Sequence, residues 1–418
     1  MAISKAPATG WRPWVVWLAG TLAFITAMFS RTSFGVAGAY AAERFGSPIT
    51  LMSIFVIVQM IVYASMQIPA GMLLDRLGSR RTIAIGTFIM ATGQLGLAFA
   101  SSFPLGLAAR VLIGGGDAMI WISAIRLIPA WFAPKHVPLL TQVSSVSGQL
   151  GQWASAVPLV RMLSGAGWTP SFLVVAAACY GGLVINWLFV RDAPPGVRTT
   201  TAPGRAGALG LREVLRLPGA QLGFFIHMST AYFQLIFSFM WGFPYLTQGQ
   251  GLSEAQAGSM MSIFVAASMV IGPIMGILTQ RLSAYRTYLA LSVSVLTMAM
   301  WAIVLVWPGS APSWLLVALM IVLAMCSPAS NIAFDINRTF MPPERMGTGS
   351  GLVIVGGFLA AIVQIGVIGL LLGLVGGANP GPFAFRIAMG SQVVPWALAV
   401  VLTLRSRQRL LAAGADPH

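Results

Sequence analysis

The chain has 418 residues, of which 57% are hydrophobic and 8% charged, and its mean hydropathy is +0.84. A water-soluble fold of that composition would have to cover itself with Leu, Val and Phe, which excludes an ordinary soluble enzyme and points to a polytopic membrane protein. The formal charge of +15, from 24 Lys and Arg against 9 Asp and Glu, does not mark a nucleic-acid surface, because the basic residues sit in short gaps between apolar runs.

A spanning helix needs roughly 20 mainly apolar residues. Runs of that kind are predicted, in chain order, at 14–39, 50–74, 82–101, 105–131, 138–163, 168–190, 220–246, 254–279, 287–307, 313–337, 347–375 and 382–404. The fold class is an all-α membrane protein with twelve transmembrane helices in two six-helix halves. Residues 1–190 form the N-terminal half, 191–219 a cytoplasmic linker, 220–404 the C-terminal half and 405–418 a cytoplasmic tail. Met1 to Pro13 carries no small-residue cleavage site and is not read as a signal peptide. Lys and Arg are retained on the cytoplasmic side of a membrane. With the N-terminus inside, 17 of the 24 fall in cytoplasmic segments. A multi-pass protein of the plasma (cytoplasmic) membrane with both termini in the cytoplasm is expected. The linker, rich in Pro, Gly, Thr and Arg, reads as flexible, with a short interfacial helix at Leu211 to Arg216. Cys179 and Cys326 lie inside apolar runs, and His136, His227 and His418 are scattered, so no disulfide framework, metal site or cofactor is expected.

Between the second and third spans the chain reads Gly71-Met-Leu-Leu-Asp75-Arg76-Leu77-Gly78-Ser-Arg80-Arg81-Thr82. Between the eighth and ninth it reads Gly276-Ile-Leu-Thr-Gln280-Arg281-Leu282-Ser-Ala-Tyr-Arg286-Thr287, so Gly, Leu, Arg, Leu, Arg and Thr recur in register. Parallel six-helix halves of this sort are a transporter architecture. The first copy resembles the signature of the major facilitator superfamily, Gly-x-x-x-Asp-Arg-x-Gly-x-Arg-Arg/Lys, at Gly71, Asp75, Arg76, Gly78, Arg80 and Arg81. The resemblance implies a gating loop on the cytoplasmic side, with Asp75 against a neighbouring helix end and the arginines against carboxylates and lipid. Gln280 replaces the acid in the second copy, which implies a weaker latch there. In the fourth span, Arg110-Val-Leu-Ile-Gly114-Gly115-Gly116 is similar to the family's Arg-x-x-x-Gly-x-Gly pattern, with Ile113 where the family often has Gln.

Ionisable groups in hydrocarbon are costly, and those that persist are usually functional or paired inside the bundle. Arg31 lies about 7 Å outward of the midpoint of the first span, Asp117 close to the midpoint of the fourth, and Arg110 two turns, ~10 Å, beyond it on the same face. If the first and fourth spans face each other, two arginines and one aspartate share a depth band with surplus positive charge, the composition of an anion site. Arg31 is similar in placement to the first-helix arginine of the organophosphate and organic-anion branches, which implies contact with a substrate anion. Pairing of Arg31 with Asp117 for stability alone is the alternative. Polar stripes fall at Gln59, Tyr63 and Gln67 in the second span and at Gln142, Gln149 and Gln152 in the fifth. Others fall at His227, Gln234, Ser238, Trp241 and Tyr245 in the seventh and at Ser327, Asn331, Asp335 and Arg338 in the tenth. Gln59 and Gln67 are read as interhelical glue and His227 as an interfacial histidine. Asp335 and Arg338 are read as a gate ion pair. Trp121, Gln149, Gln234, Trp241 and Asn331 join Arg31, Arg110 and Asp117 as candidate substrate contacts.

These features predict a secondary active transporter of a small organic anion, a carboxylate or similar, working by alternating access. Proton symport is expected through Asp117: an anion occupying the arginines would favour protonation of that carboxylate. The partners expected are the small-molecule substrate, protons and the lipid bilayer, with no nucleic acid and no obligate protein partner. The alternative is a drug or amphiphile efflux antiporter in which Asp117 carries the proton and Arg31 only pairs with it. A ligand sensor is a third possibility, for which the short tail and plain linker offer little surface. No Gly-x-x-x-x-Gly-Lys-Ser/Thr sequence is present to bind a nucleotide, and no nucleophile-base-acid arrangement suggests an enzyme.

Overall fold

The computed structural model describes residues 10–47, 52–195, 211–377, 380–412 and 414. Lys5, Arg198, Arg205, His418 and the linker from 196 to 210 lie outside the described residues. Eleven helical runs among the described residues are long and apolar enough to cross a membrane. The remaining predicted span, 138–163, is helical throughout, within Val137–Ala154, a π-helical turn Ser155–Leu159 and Val160–Ala166. Its Ser and Gln residues lower its hydropathy. Several spans start where the sequence supplies a start. Pro occupies the first helical turn of Arg12–Val36, Phe103–Asp117, Val137–Ala154 and Pro218–Ile236, where its missing N–H costs nothing. Ser253 and Gln256 form a capping box on Glu254–Arg281.

The chain divides into two compact units. Unit 1 comprises residues 1–210 and 342–351, and unit 2 comprises 211–341 and 352–418. In unit 1 aromatic rings seal one end of the core. Phe34 stacks on Phe55 at 4.5 Å, Phe55 meets Phe103 at 4.7 Å, and Trp168 lies 4.3 Å from Phe172. Trp168 donates its indole N–H to the Leu97 carbonyl at 3.0 Å, and Arg44 donates to Ala100 at 2.9 Å, closing the turn after the third span. In unit 2, Tyr245 packs 5.1 Å from Trp301 and 6.2 Å from Phe385. The Tyr232 hydroxyl donates to the Gln392 carbonyl at 2.9 Å, and the Trp396 indole to Ser294 at 3.0 Å.

Several boundaries differ from the sequence-based expectation. The second span, Met52–Leu77, takes in Asp75 and Arg76, and the third begins at Ser79, so the predicted loop shrinks to Gly78. Gly78 makes that reversal at φ +81°, a left-handed conformation that only glycine adopts without strain. The first span ends at Val36 and a second short helix, Gly38–Phe45, follows it. The last helical segment, Val393–Ala412, carries the predicted tail on as helix beyond 404. A six-residue helix, Leu211–Arg216, stands in the predicted linker.

The fourth and tenth spans are broken inside the apolar run. The fourth is Phe103–Asp117 followed by Ile120–Trp131. There the Met119 amide bonds back three residues to Gly116, and three consecutive glycines just before supply little helix propensity. The tenth is Ser313–Ser330 followed by Ile332–Phe340, with Pro328 removing a backbone donor just before the break. The two breaks fall at Asp117 and at Asn331, both candidate polar residues.

Candidate functional site

Unit 1 brings Arg31, Asp117 and Arg110 together. Arg31 donates from Nε to Asp117 Oδ2 at 2.6 Å and from Nη2 to Oδ1 at 3.0 Å, the bidentate geometry that makes a guanidinium–carboxylate pair strong. The Arg31 side chain is 17% exposed and that of Asp117 is 1% exposed. The Tyr63 ring lies 4.3 Å from the Arg31 guanidinium carbon, a cation–π contact from the second span. Arg110, fully buried, donates from Nη2 to the Arg31 backbone carbonyl at 3.2 Å and also to Gln59 Oε1. Phe34 lies 5.1 Å from the Arg110 guanidinium carbon. Nε and Nη1 of Arg110 have no acceptor among the described residues. Two guanidinium groups and one carboxylate therefore leave this centre with one positive charge uncompensated, and a buried charge without its partner is expensive.

The backbone that carries Arg31 is itself held. Gln94, the one side-chain amide of the third span, donates from Nε2 to the Ser30 carbonyl at 3.0 Å, to Ser30 Oγ at 2.7 Å and to Ser33 Oγ at 3.3 Å. Thr32 Oγ1 and Ser155 Oγ are 2.7 Å apart, linking the first span to the π-helical turn of the fifth. Trp121 is buried and lies 4.5 Å from Phe24, the same ring that crowds Gly148 beside Gln149. Gln149 is half-buried, with its Oε1 unpaired among the described residues.

The residues of the predicted gating motif form a second cluster in unit 1. Asp75 Oδ1 accepts from the Gly347 amide at 2.7 Å and from Arg126 Nη1 at 3.1 Å. Its Oδ2 accepts from the Thr348 amide at 2.8 Å and the Thr348 hydroxyl at 2.6 Å. The carboxylate thus caps the first turn of the helix Met346–Gly376, where free amides and the helix dipole both favour an anion. Gly71 allows the approach, since a Cβ there would strike the Gly347 carbonyl and stand 2.9 Å from Thr348 Cα. Arg80 donates its amide to Asp192 Oδ1 at 2.9 Å and its Nη2 to the Trp187 carbonyl at 2.8 Å, with its guanidinium over the Trp187 ring. Arg76 and Arg81 are exposed.

In unit 2 the predicted stripe of the seventh span does not hold as one face. Past Ile236 the helix widens into two π-helical turns, Phe237–Trp241 and Tyr245–Gly249, which break the 3.6-residue spacing. Tyr245 consequently turns into the aromatic core and accepts from Gln250 at 2.8 Å, whereas Ser238 is exposed and Gln234 half-buried. Trp241 donates its indole N–H to the Ile365 carbonyl at 3.1 Å. His227, expected at the interface, is buried, 5.9 Å from the Phe334 ring and against Gly357. Burial follows from that glycine, whose missing side chain leaves the imidazole its space. Asn331 is buried at the helix break, and Asp335 and Arg338 form an ion pair.

Residues not singled out beforehand are Gln94, Arg126, Asp192 and Thr348. Arg126 was legible as a lone cation near the C-terminal end of the fourth span. Gln94 was legible as a single amide in an apolar run.

Residues 20–365 match the family model of the Major Facilitator Superfamily. The chain is 28% identical to a D-galactonate transporter of Escherichia coli O6:H1 (strain CFT073) over 58% of this chain and 62% of that one, so it spans about three fifths of that relative's length. It is 24% identical to a "Probable galactarate/D-glucarate transporter" of Escherichia coli K12, over 90% of this chain and 91% of that one. Among solved structures, a bacterial homologue of the iron transporter ferroportin in its outward-facing state aligns with TM-score 0.71 and 14% identity, covering 94% of this chain and 99% of that one.

Proposed function

The chain belongs to the Major Facilitator Superfamily, and on that footing we propose that it is a secondary transporter moving a small organic anion of the sugar-acid class by proton-coupled symport. It is a multi-pass membrane protein and not an enzyme. The plasma membrane, with both termini cytoplasmic, is the location that its basic loops favour.

The observation that carries the proposal is the charge balance around Arg31. A partly exposed guanidinium, gripped by one carboxylate and backed by a second buried guanidinium, lacks one negative charge. A substrate carboxylate supplies it, and Arg31 offers the planar fork that recognises carboxylates. The hydroxyl-bearing sugar acids named for the relatives suit a centre where the Tyr63 ring lies beside the Arg31 guanidinium. The same geometry supports the proton-coupled reading. An anion that takes over Arg31 deprives Asp117 of its partner in a low-dielectric setting, and binding a proton relieves the carboxylate.

The test is uptake into proteoliposomes of labelled aldonates, aldarates, hexuronates and phosphate esters, with and without an imposed pH gradient. Gradient-driven accumulation of a sugar acid supports the proposal. Accumulation of phosphate esters alone, or export of cationic amphiphiles with no carboxylate transport, would overturn it.

A further inference from the structure

A cavity of about 500 Å³ opens at one end of unit 1, away from the Arg31 centre. Its walls come from the start of the first span (Trp11, Arg12, Val15, Val16), the end of the fourth (Trp131) and the end of the sixth (Leu188, Phe189), closed by Arg191, Ala193 and Pro195. Alternation of the spans puts these three ends on the same side, the one the basic loops assign to the cytoplasm. The body of the cavity is apolar and its mouth is cationic. Trp11 and Trp14 are 68% and 50% exposed at the first span's start, as aromatic side chains are at a membrane–water boundary.

The two arginines have spare donors. Arg12 enters none of the ion pairs among the described residues. Arg191 uses Nη1 on the Val190 and Trp187 carbonyls, at 2.9 and 3.3 Å, which leaves Nε and Nη2. The nearest acid in sequence, Asp192, is engaged by the Arg80 amide. The wall beside Arg191 is fixed, because Trp131 donates its indole N–H to the Arg191 carbonyl at 2.9 Å. We propose that this cavity binds an anionic phospholipid of the adjoining leaflet, its phosphate between Arg12 and Arg191 and its upper acyl region against Val15, Leu188 and Phe189. Charge complementarity selects the headgroup, and an apolar floor beneath a charged mouth is the shape of a lipid rather than of a free ion.

Delipidated full-length protein in detergent is titrated with phosphatidylglycerol and with phosphatidylcholine, and bound lipid is counted by native mass spectrometry. Phosphatidylglycerol should be retained selectively. Arg12→Gln should weaken its retention about fivefold and Arg12→Gln with Arg191→Gln about twenty-five-fold, the size expected of one basic side chain each at an anionic surface. Replacing both by Lys keeps the charge and should keep the lipid. Val15→Trp fills the apolar body while leaving both charges in place, and should also expel the lipid. Equal retention of the two lipids, full retention by the double Gln variant, or displacement by glycerol 3-phosphate without acyl chains would each overturn the assignment. If the double Gln variant does not purify as a monodisperse protein, undiminished phosphatidylglycerol retention by Val15→Trp overturns it alone.

Discussion

Asp75 and Thr348 stand 273 positions apart in the chain and meet through two hydrogen bonds to one carboxylate oxygen, from the Thr348 amide at 2.8 Å and its hydroxyl at 2.6 Å. With Gly347 and Arg126 on the other oxygen, the carboxylate faces only donors. Asparagine at this position has one oxygen to accept with, and its NH2 would confront the remaining donors. Asp75→Asn should therefore lower the transport rate by about 5- to 150-fold, matching a local cost of about 1–3 kcal/mol for unsatisfied buried groups. Substrate affinity, measured by binding to the purified variant, should stay near that of the parent. A variant that inserts normally and transports at the parental rate would show that the cap is dispensable.

Arg31→Lys should weaken binding of the sugar acid by about 10- to 100-fold, because a point ammonium replaces a bidentate fork worth roughly 1.5–3 kcal/mol. Isothermal titration of parent and variant reads the difference directly. Equal affinities would move anion recognition away from Arg31.

Asp117→Asn mimics the protonated carboxylate. It should bind substrate and catalyse exchange between labelled and unlabelled pools, yet fail to accumulate substrate against a gradient. Counterflow and gradient-driven uptake, measured on the same proteoliposomes, separate the two. pH-dependent accumulation equal to that of the parent would make the Arg31–Asp117 pair structural.

Gln94 is fully buried and holds the Ser30 carbonyl of the first span. Gln94→Leu should raise the transport KM about three- to tenfold, with maximal rate altered less, as expected for a residue holding a binding group in place through a hydrogen bond of about 1 kcal/mol. Thermal unfolding of the variant should reveal how much of the change is stability. An unchanged KM beside a lowered melting temperature would reduce Gln94 to packing.

The spans were legible because apolar length is written directly in composition, and the motif around Asp75 because its spacing is fixed. Arg31 and Asp117 could be paired in advance, since a lone acid and a lone base in apolar helices have few other partners. What stayed hidden depends on tertiary approach. Thr348 has no sequence mark that ties it to Asp75, and Gly71 becomes meaningful only when Gly347 lies against it. Tyr63 stood in a stripe of polar residues, but its place over the Arg31 guanidinium depends on how the second span is rotated. The fate of Tyr245 was misjudged for a local reason: a 3.6-residue spacing was carried through a segment whose hydrogen bonds skip one residue further.

Each π-helical turn is equivalent to one extra residue threaded into an α-helix. The stretch Phe237–Gly249 holds two such turns separated by three residues, Gly242–Pro244. An added residue behaves like a dislocation in a crystal: moving it one step along exchanges a single hydrogen bond and rotates the intervening side chains by about 100°. The seventh span therefore holds two such defects, one ending at Trp241 and the other beginning at Tyr245. Deleting one residue between Phe237 and Gly249 would anneal one of them into regular α-helix and leave the helix on either side on the faces it already presents.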